Sequence, residues 1–105
     1  MKPCVLRPQA RADRRKQVRY YREVAGTQVA GKLVDALEKA FDDLGRNPAI
    51  GSPTLGQDIG VAGLRTWLIA GFPLCLWYFE RTTHVEVARL VGHREDATGV
   101  DVEAP

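Results

Sequence analysis

Apolar residues recur along this chain with two different periods, and the change falls near residue 63. Between residues 28 and 44, Val29, Ala30, Leu33, Val34, Leu37, Ala40, Phe41 and Leu44 return every three or four positions. That spacing lays one apolar stripe along a helix. Lys32, Asp35, Glu38, Lys39, Asp42 and Asp43 fill the other face. Residues 9–25 repeat the pattern more weakly, with Ala10, Val18, Tyr21 and Val24 or Ala25 at helical steps and basic side chains between them. Pro8 suits a first helical turn, where its missing N–H costs nothing. Gly26 is read as the stop of the first helix, Thr27 as the N-cap of the second and Gly45 as its end. A break this short joins the two helices as an antiparallel hairpin.

Beyond residue 63 the period becomes two. Residues 64–69, 74–80 and 84–91 read as three successive strands, with turns at Gly71-Phe72-Pro73 and Arg81-Thr82-Thr83. Connections so short require antiparallel neighbours. Residues 3–6 form one further short strand, and the Gly- and Pro-rich stretch 46–63 is read as a loop. The expected class is α+β in two layers: a helical hairpin packed on one side of a small antiparallel sheet, in the order β-α-α-β-β-β. The other sheet face is then polar, or meets something else. Residues 1–96 are expected to form one domain and residues 97–105 an exposed acidic tail.

Composition narrows the class. The chain has 105 residues, 45% hydrophobic and 27% charged, which suits one soluble domain with a modest core. The net charge is only +2, yet Arg7, Arg11, Arg14, Arg15, Lys16, Arg19 and Arg22 crowd one stretch, opposed there by Asp13 and Glu23 alone. Glu95, Asp96, Asp101 and Glu103 make the last residues acidic. Local fields of this kind steer partners even at low total charge. Cys4 and Cys75 sit in apolar, strand-like contexts and are read as small buried hydrophobes in a reducing compartment. The first residues lack a signal-peptide pattern, and no apolar run approaches the roughly 20 residues that cross a bilayer. A cytoplasmic location is expected, with no membrane contact. His84 and His93 lack a third ligand, so no metal and no cofactor is expected. Helix-turn-helix spacing, a phosphate-binding Gly loop and a Ser/His/Asp set are absent from the sequence.

The run Gly63-Leu64-Arg65-Thr66-Trp67-Leu68-Ile69-Ala70-Gly71-Phe72-Pro73 resembles the second-strand signature of ParE-type toxins, in which Gly-Leu-Arg and an aromatic precede a Gly-Phe turn. Trp77-Tyr78, then Val85 onward to Gly92-His93-Arg94-Glu95-Asp96, is similar to that family's closing strand. Leu6-Arg7-Pro8-Gln9-Ala10, Asp13, Tyr20, Tyr21 and Asn47-Pro48 with Gly51 also fit. The resemblance runs in order over residues 4–96, and its specificity lies in the combination. It implies the toxin of a type II toxin–antitoxin pair, poisoning DNA gyrase so that cleaved DNA stays on the enzyme. It implies neutralisation by a ParD-like antitoxin, a ribbon-helix-helix protein whose disordered C-terminal segment folds over the toxin. DNA is then met only indirectly, through the antitoxin complex, and no catalytic residue is called for.

The RelE branch of the same superfamily offers a different reading, metal-free cleavage of messenger RNA on the ribosome. Its pattern has two lysines on the second strand, an arginine on the third, another after the fourth and a tyrosine near the end. Here those positions resemble Arg65, Trp67, Cys75 and Arg94, and no tyrosine follows His93. An inactive toxin-like scaffold is the third reading. For the first, target contacts are expected at Arg65, Trp67, Arg89, His93 and Arg94. Arg65 and Trp67 share a strand face, and Arg89 should find a carboxylate, with Glu80 and Glu86 available, because unpaired burial is costly. The antitoxin is expected to fill a groove between hairpin and sheet, contacting Arg11, Arg15, Arg19, Tyr21, Leu37 and Phe41.

Overall fold

In the computed structural model, which describes residues 1–93, one glycine turns the chain between two long helices. Helix α1 (Pro8–Ala25) and helix α2 (Thr27–Arg46) meet at Gly26, whose φ of +95° disfavours any L side chain. Its N–H donates to the Arg22 carbonyl at 3.1 Å, which closes α1. Gly26 also stands at the N-cap of α2; Thr27, expected there, is the first helical residue, and no side-chain cap bond forms. Gly45 does not end α2. It lies buried in the last turn and accepts the Lys2 N–H at 2.9 Å; a Cβ on it would strike the Lys2 carbonyl oxygen. The close passage of the chain entering the first strand, not a helix stop, is what needs a glycine here.

Four strands, β1 (Cys4–Leu6), β2 (Arg65–Leu68), β3 (Leu74–Glu80) and β4 (Val85–Gly92), form one sheet in the order β1-β4-β3-β2. The last three make the expected antiparallel meander. β1 instead runs parallel to β4, Cys4 facing Val85 and Leu6 facing Val87, so the sheet is mixed and not wholly antiparallel. Parallel neighbours need a long crossover, and the helical hairpin with the strands that follow supplies it. Between Trp77 and Tyr78 the β3–β4 register slips, Trp77 facing Arg89 and Tyr78 facing Val87, which leaves Ala88 as the extra residue of a bulge.

Leu33, Leu37 and Leu44 of α2 meet Leu76, Tyr78 and Val87 of the sheet in a core from which water is excluded. Cys75, Trp77 and Phe79 alternate with these and belong to a second apolar cluster on the opposite face. Six consecutive residues of β3 are therefore buried, as in a strand covered on both sides. Part of that second cover comes from the stretch expected to be a loop. It holds a 3-10 turn (Pro48–Ile50) and a short helix α3 (Thr54–Ile59), ended by Gly60 at φ +76°. Leu55, Ile59 and Val61 pack against Leu64, Trp77 and Phe79. Packing rather than helix propensity holds so short a helix in place.

Candidate functional site

Arg65 and Trp67 stand opposite Tyr78 and Leu76, on the hairpin face, as strand alternation requires. The Arg65 guanidinium is not an open contact. Its Nη1 donates to the carbonyls of Ala49 at 3.2 Å and Gly51 at 2.7 Å. The buried Tyr78 hydroxyl closes the same turn, donating to the Pro48 carbonyl at 2.7 Å and accepting the Gly51 N–H at 2.8 Å. Burial pushes the Tyr78 hydroxyl above its ordinary pKa, with the Gly51 hydrogen bond and the Arg65 charge opposing, so it remains a donor. Arg65 thus anchors the turn.

Arg89 finds the carboxylate it needs, but neither Glu80 nor Glu86 supplies it. Its Nε donates to Asp13 Oδ2 at 2.7 Å and its Nη2 to Asp13 Oδ1 at 3.2 Å. The Leu90 N–H also donates to Asp13 Oδ2, at 3.1 Å. β1 covers the edge of β4 only as far as Val87, so the backbone beyond it faces α1. Glu86 is shared by Arg7 and Arg81, at 3.1 and 2.7 Å, and Glu80 pairs with Lys2 at 2.9 Å. The hydrogen bond from Arg7, with that from Arg81, holds the Glu86 carboxyl below its ordinary pKa despite partial burial. Arg89 is committed to Asp13, which corrects the expected partner, Glu80 or Glu86.

On the sheet face away from the hairpin lies an open groove of about 650 Å³. Cys75, Trp77 and Val91 form its floor. Thr66 and Leu68 of β2 wall one side, with Trp67, which packs against the hairpin core, at the strand edge between them; Ile50, Ser52 and Leu55 wall another, and His93 stands at the rim. Ser52 pairs with Thr66 through two backbone bonds of 3.0 Å, which fastens this wall to the sheet. Leu68 is 54% exposed, a large apolar side chain open to solvent. Burial pushes the Cys75 thiol above its ordinary pKa, so the floor carries no charge from it. Of the expected target contacts, Trp67 and His93 reach this groove. Arg94 and the expected tail, residues 97–105, lie outside the described residues. Leu68, Trp77 and Val91 were not anticipated as site residues; the signal for them was the run of apolar residues on both faces of β3.

A second groove, of about 510 Å³, runs along the outside of the hairpin. Arg11, Arg14, Arg15, Arg19 and Arg22 line it over Val18 and Val34. It gathers three expected antitoxin contacts, Arg11, Arg15 and Arg19. Tyr21 is half-buried and meets Phe72 edge-on at 5.2 Å. Phe41 is half-buried with the Arg14 guanidinium 6.0 Å from its ring centre. Leu37 is wholly buried between hairpin and sheet, a core residue of the free chain. Cys4 gives its Sγ to the Phe41 carbonyl at 3.3 Å, and its pKa is pushed up to about 11 by burial and the nearby Asp42 charge. Among the described residues no group of three His, Cys, Asp or Glu side chains is placed to hold a metal ion. No helix among them is long and apolar enough to cross a membrane.

The model of a protein family described as "ParE toxin of type II toxin-antitoxin system, parDE" matches residues 4–97 of the chain. A chain in a solved structure described as "Chromosomal ParDE TA system from P. aeruginosa" superposes with a TM-score of 0.72 at 20% identity, covering 88% of this chain and 96% of that one. That likeness shows a shared fold. Comparison with curated proteins returned no match.

Proposed function

This chain belongs to the ParE toxin family of type II toxin–antitoxin systems, and on that premise we propose that it binds and poisons DNA gyrase until a ParD-like antitoxin neutralises it. The observation that carries the proposal is the apolar groove on the sheet face away from the hairpin. Exposed Leu68, Ile50 and His93 border this groove over the buried Trp77, with Trp67 at its edge, a concave apolar patch suited to anchoring a larger protein. Target contact is assigned to Trp67, His93 and Leu68, with Arg94 following directly in the sequence. Antitoxin contact is assigned to Arg11, Arg15 and Arg19, with Tyr21 and Phe41 at the flanks of the hairpin.

The ribonuclease reading draws less support. It asks for basic groups poised toward a phosphate. Arg65 is engaged by two carbonyls, and the position on the third strand holds Cys75, a buried protonated thiol. A binding inhibitor, acting in the cytoplasm, fits these residues better than a catalyst does. Expressing the chain in a bacterium without its antitoxin separates the readings. Growth arrest with broken chromosomal DNA supports gyrase poisoning, arrest with cut ribosome-bound message supports the ribonuclease, and unimpaired growth supports the inactive scaffold.

A further inference from the structure

The apolar groove beside β2 offers backbone as well as side chains. On the side of β2 away from β3, the Thr66 N–H donates to the Ser52 carbonyl and the Ser52 N–H to the Thr66 carbonyl, both at 3.0 Å. Backbone groups alternate in direction along a strand, so those of Leu68 point to the same outer side. Ile69, one residue on, turns its N–H back to the Leu74 carbonyl at 2.9 Å. The bridge at Ser52 stops at Thr66, and among the described residues no other strand pairs with β2 on that side. β2 therefore ends in an open edge, with the Leu68 side chain, 54% exposed, at the wall of the groove. Such an edge takes an extended segment, its backbone on the backbone and its alternate apolar side chains in the groove.

The sequence carries such a segment close by. β4 leaves the sheet at His93, whose N–H donates to the Pro73 carbonyl at 2.9 Å and which stands at the groove's rim. Leu74 faces Gly92 and Leu68 faces Cys75, so the exit of β4 and the open edge of β2 share one end of the sheet. Three strand spacings, about 14 Å, separate β4 from a strand beyond β2, and residues 94–99 reach about 20 Å when extended. The sequence then reads Val100-Asp101-Val102-Glu103-Ala104, apolar at every second position. β4 runs in the direction of β2, since both are antiparallel to β3, so a chain that doubles back after β4 meets β2 antiparallel. We propose that residues 100–104 dock on the open edge of β2, with Val100 and Val102 turned into the groove over Cys75 and Trp77 and with Asp101 and Glu103 turned away. So short a tether holds the segment at an effective concentration on the order of millimolar, where weak contacts suffice. Resting on the gyrase reading of this groove, segment and target compete for it, and the free chain masks part of its own target surface.

The test is amide hydrogen exchange read by NMR on the full chain, as wild type, as Val100→Asp with Val102→Asp, and as Asp101→Asn with Glu103→Gln. In the wild type the Leu68 amide is expected to be protected, and the methyls of Val100 and Val102 to show contacts to the Trp77 indole. The valine variant is expected to exchange the Leu68 amide roughly tenfold faster or more and to lose those contacts. The Ile69 amide, bonded inside the sheet, is expected to stay protected in all three and reports that the fold is intact. The variant that neutralises Asp101 and Glu103 is expected to match the wild type. A Leu68 amide that exchanges freely in the wild type, or equally slowly in the valine variant, overturns the inference. So does protection that rises with protein concentration, which assigns the edge to a second copy of the chain. The same proteins are added to gyrase and supercoiled plasmid. The valine variant is expected to linearise plasmid at a concentration a few fold lower than the wild type. Equal potency after the Leu68 amide is released overturns the competition. Protection at Leu68 in a chain that leaves gyrase untouched upholds the docking and refutes the gyrase reading, and linear plasmid from a chain with a freely exchanging Leu68 amide does the reverse.

Discussion

Asp13 on the first helix and Arg89 on the last strand form a two-point bridge, Nε to Oδ2 at 2.7 Å and Nη2 to Oδ1 at 3.2 Å, and Asp13 also takes the Leu90 N–H. The pair closes the stretch of β4 edge that β1 does not reach, and so locks the hairpin to the sheet. The two side chains are only 11% and 16% exposed. Asp13→Ala deprives Arg89 of its carboxylate and Leu90 of its acceptor, at a cost of about 3 kcal/mol. Adding Arg89→Met is expected to recover part of that loss, since the charge to be compensated is gone. Urea denaturation of the single and double variants measures both.

Tyr78 and Gly51 give a second prediction. Tyr78→Phe removes the hydroxyl that accepts the Gly51 N–H and donates to the Pro48 carbonyl, leaving buried backbone groups without a partner. The expected loss is about 1–3 kcal/mol, read as a lower urea midpoint. Gly51→Ala is expected to be worse tolerated than an alanine at exposed Gly31, because its Cβ would collide with the Tyr78 ring and the Thr66 carbonyl.

Glu86 sets part of the acid limit. Its folded pKa is depressed, first by the hydrogen bond from Arg7 and then by Arg81. A depressed carboxylate contributes stability above its unfolded pKa, about 4.3, and loses it as pH falls through the lower folded value. Glu86→Gln is therefore expected to be less stable than wild type near neutral pH and to approach it in acid. Urea midpoints at about pH 7 and about pH 3 test this; a gap that stays constant or widens in acid contradicts it.

Leu68 separates function from folding. It is 54% exposed at the wall of the apolar groove, so Leu68→Asp is expected to change stability by no more than about 0.5 kcal/mol. A charge placed among Trp67, Trp77 and Val91 is expected to abolish growth arrest while leaving antitoxin capture at the hairpin intact. Thermal melting, viability counts and a pull-down on the antitoxin check the three parts.

What could be read in the chain, and what could not, divides along physical lines. The α2 stripe and the alternation of the meander are local repeats, so element order and layering were legible. β1 has three residues, too few to announce that its partner would be β4 and parallel. The six residues of α3 span under two turns and lie among glycines and prolines, so no period could emerge; their packing on Trp77 and Phe79 decides them. Burial cost foretold a carboxylate for Arg89, but Asp13 lies 76 residues away, and only the folded chain brings the two together. The arginine strip was visible as composition. The valine floor that makes it a groove depends on how α2 crosses α1.

Purified chain mixed with DNA gyrase, ATP and supercoiled plasmid asks the central question directly. Gyrase poisoning predicts linear plasmid that accumulates with toxin, fails to appear without gyrase, and is lost with Leu68→Asp. Plasmid that gyrase continues to supercoil normally at a saturating amount of folded chain would contradict the proposed function.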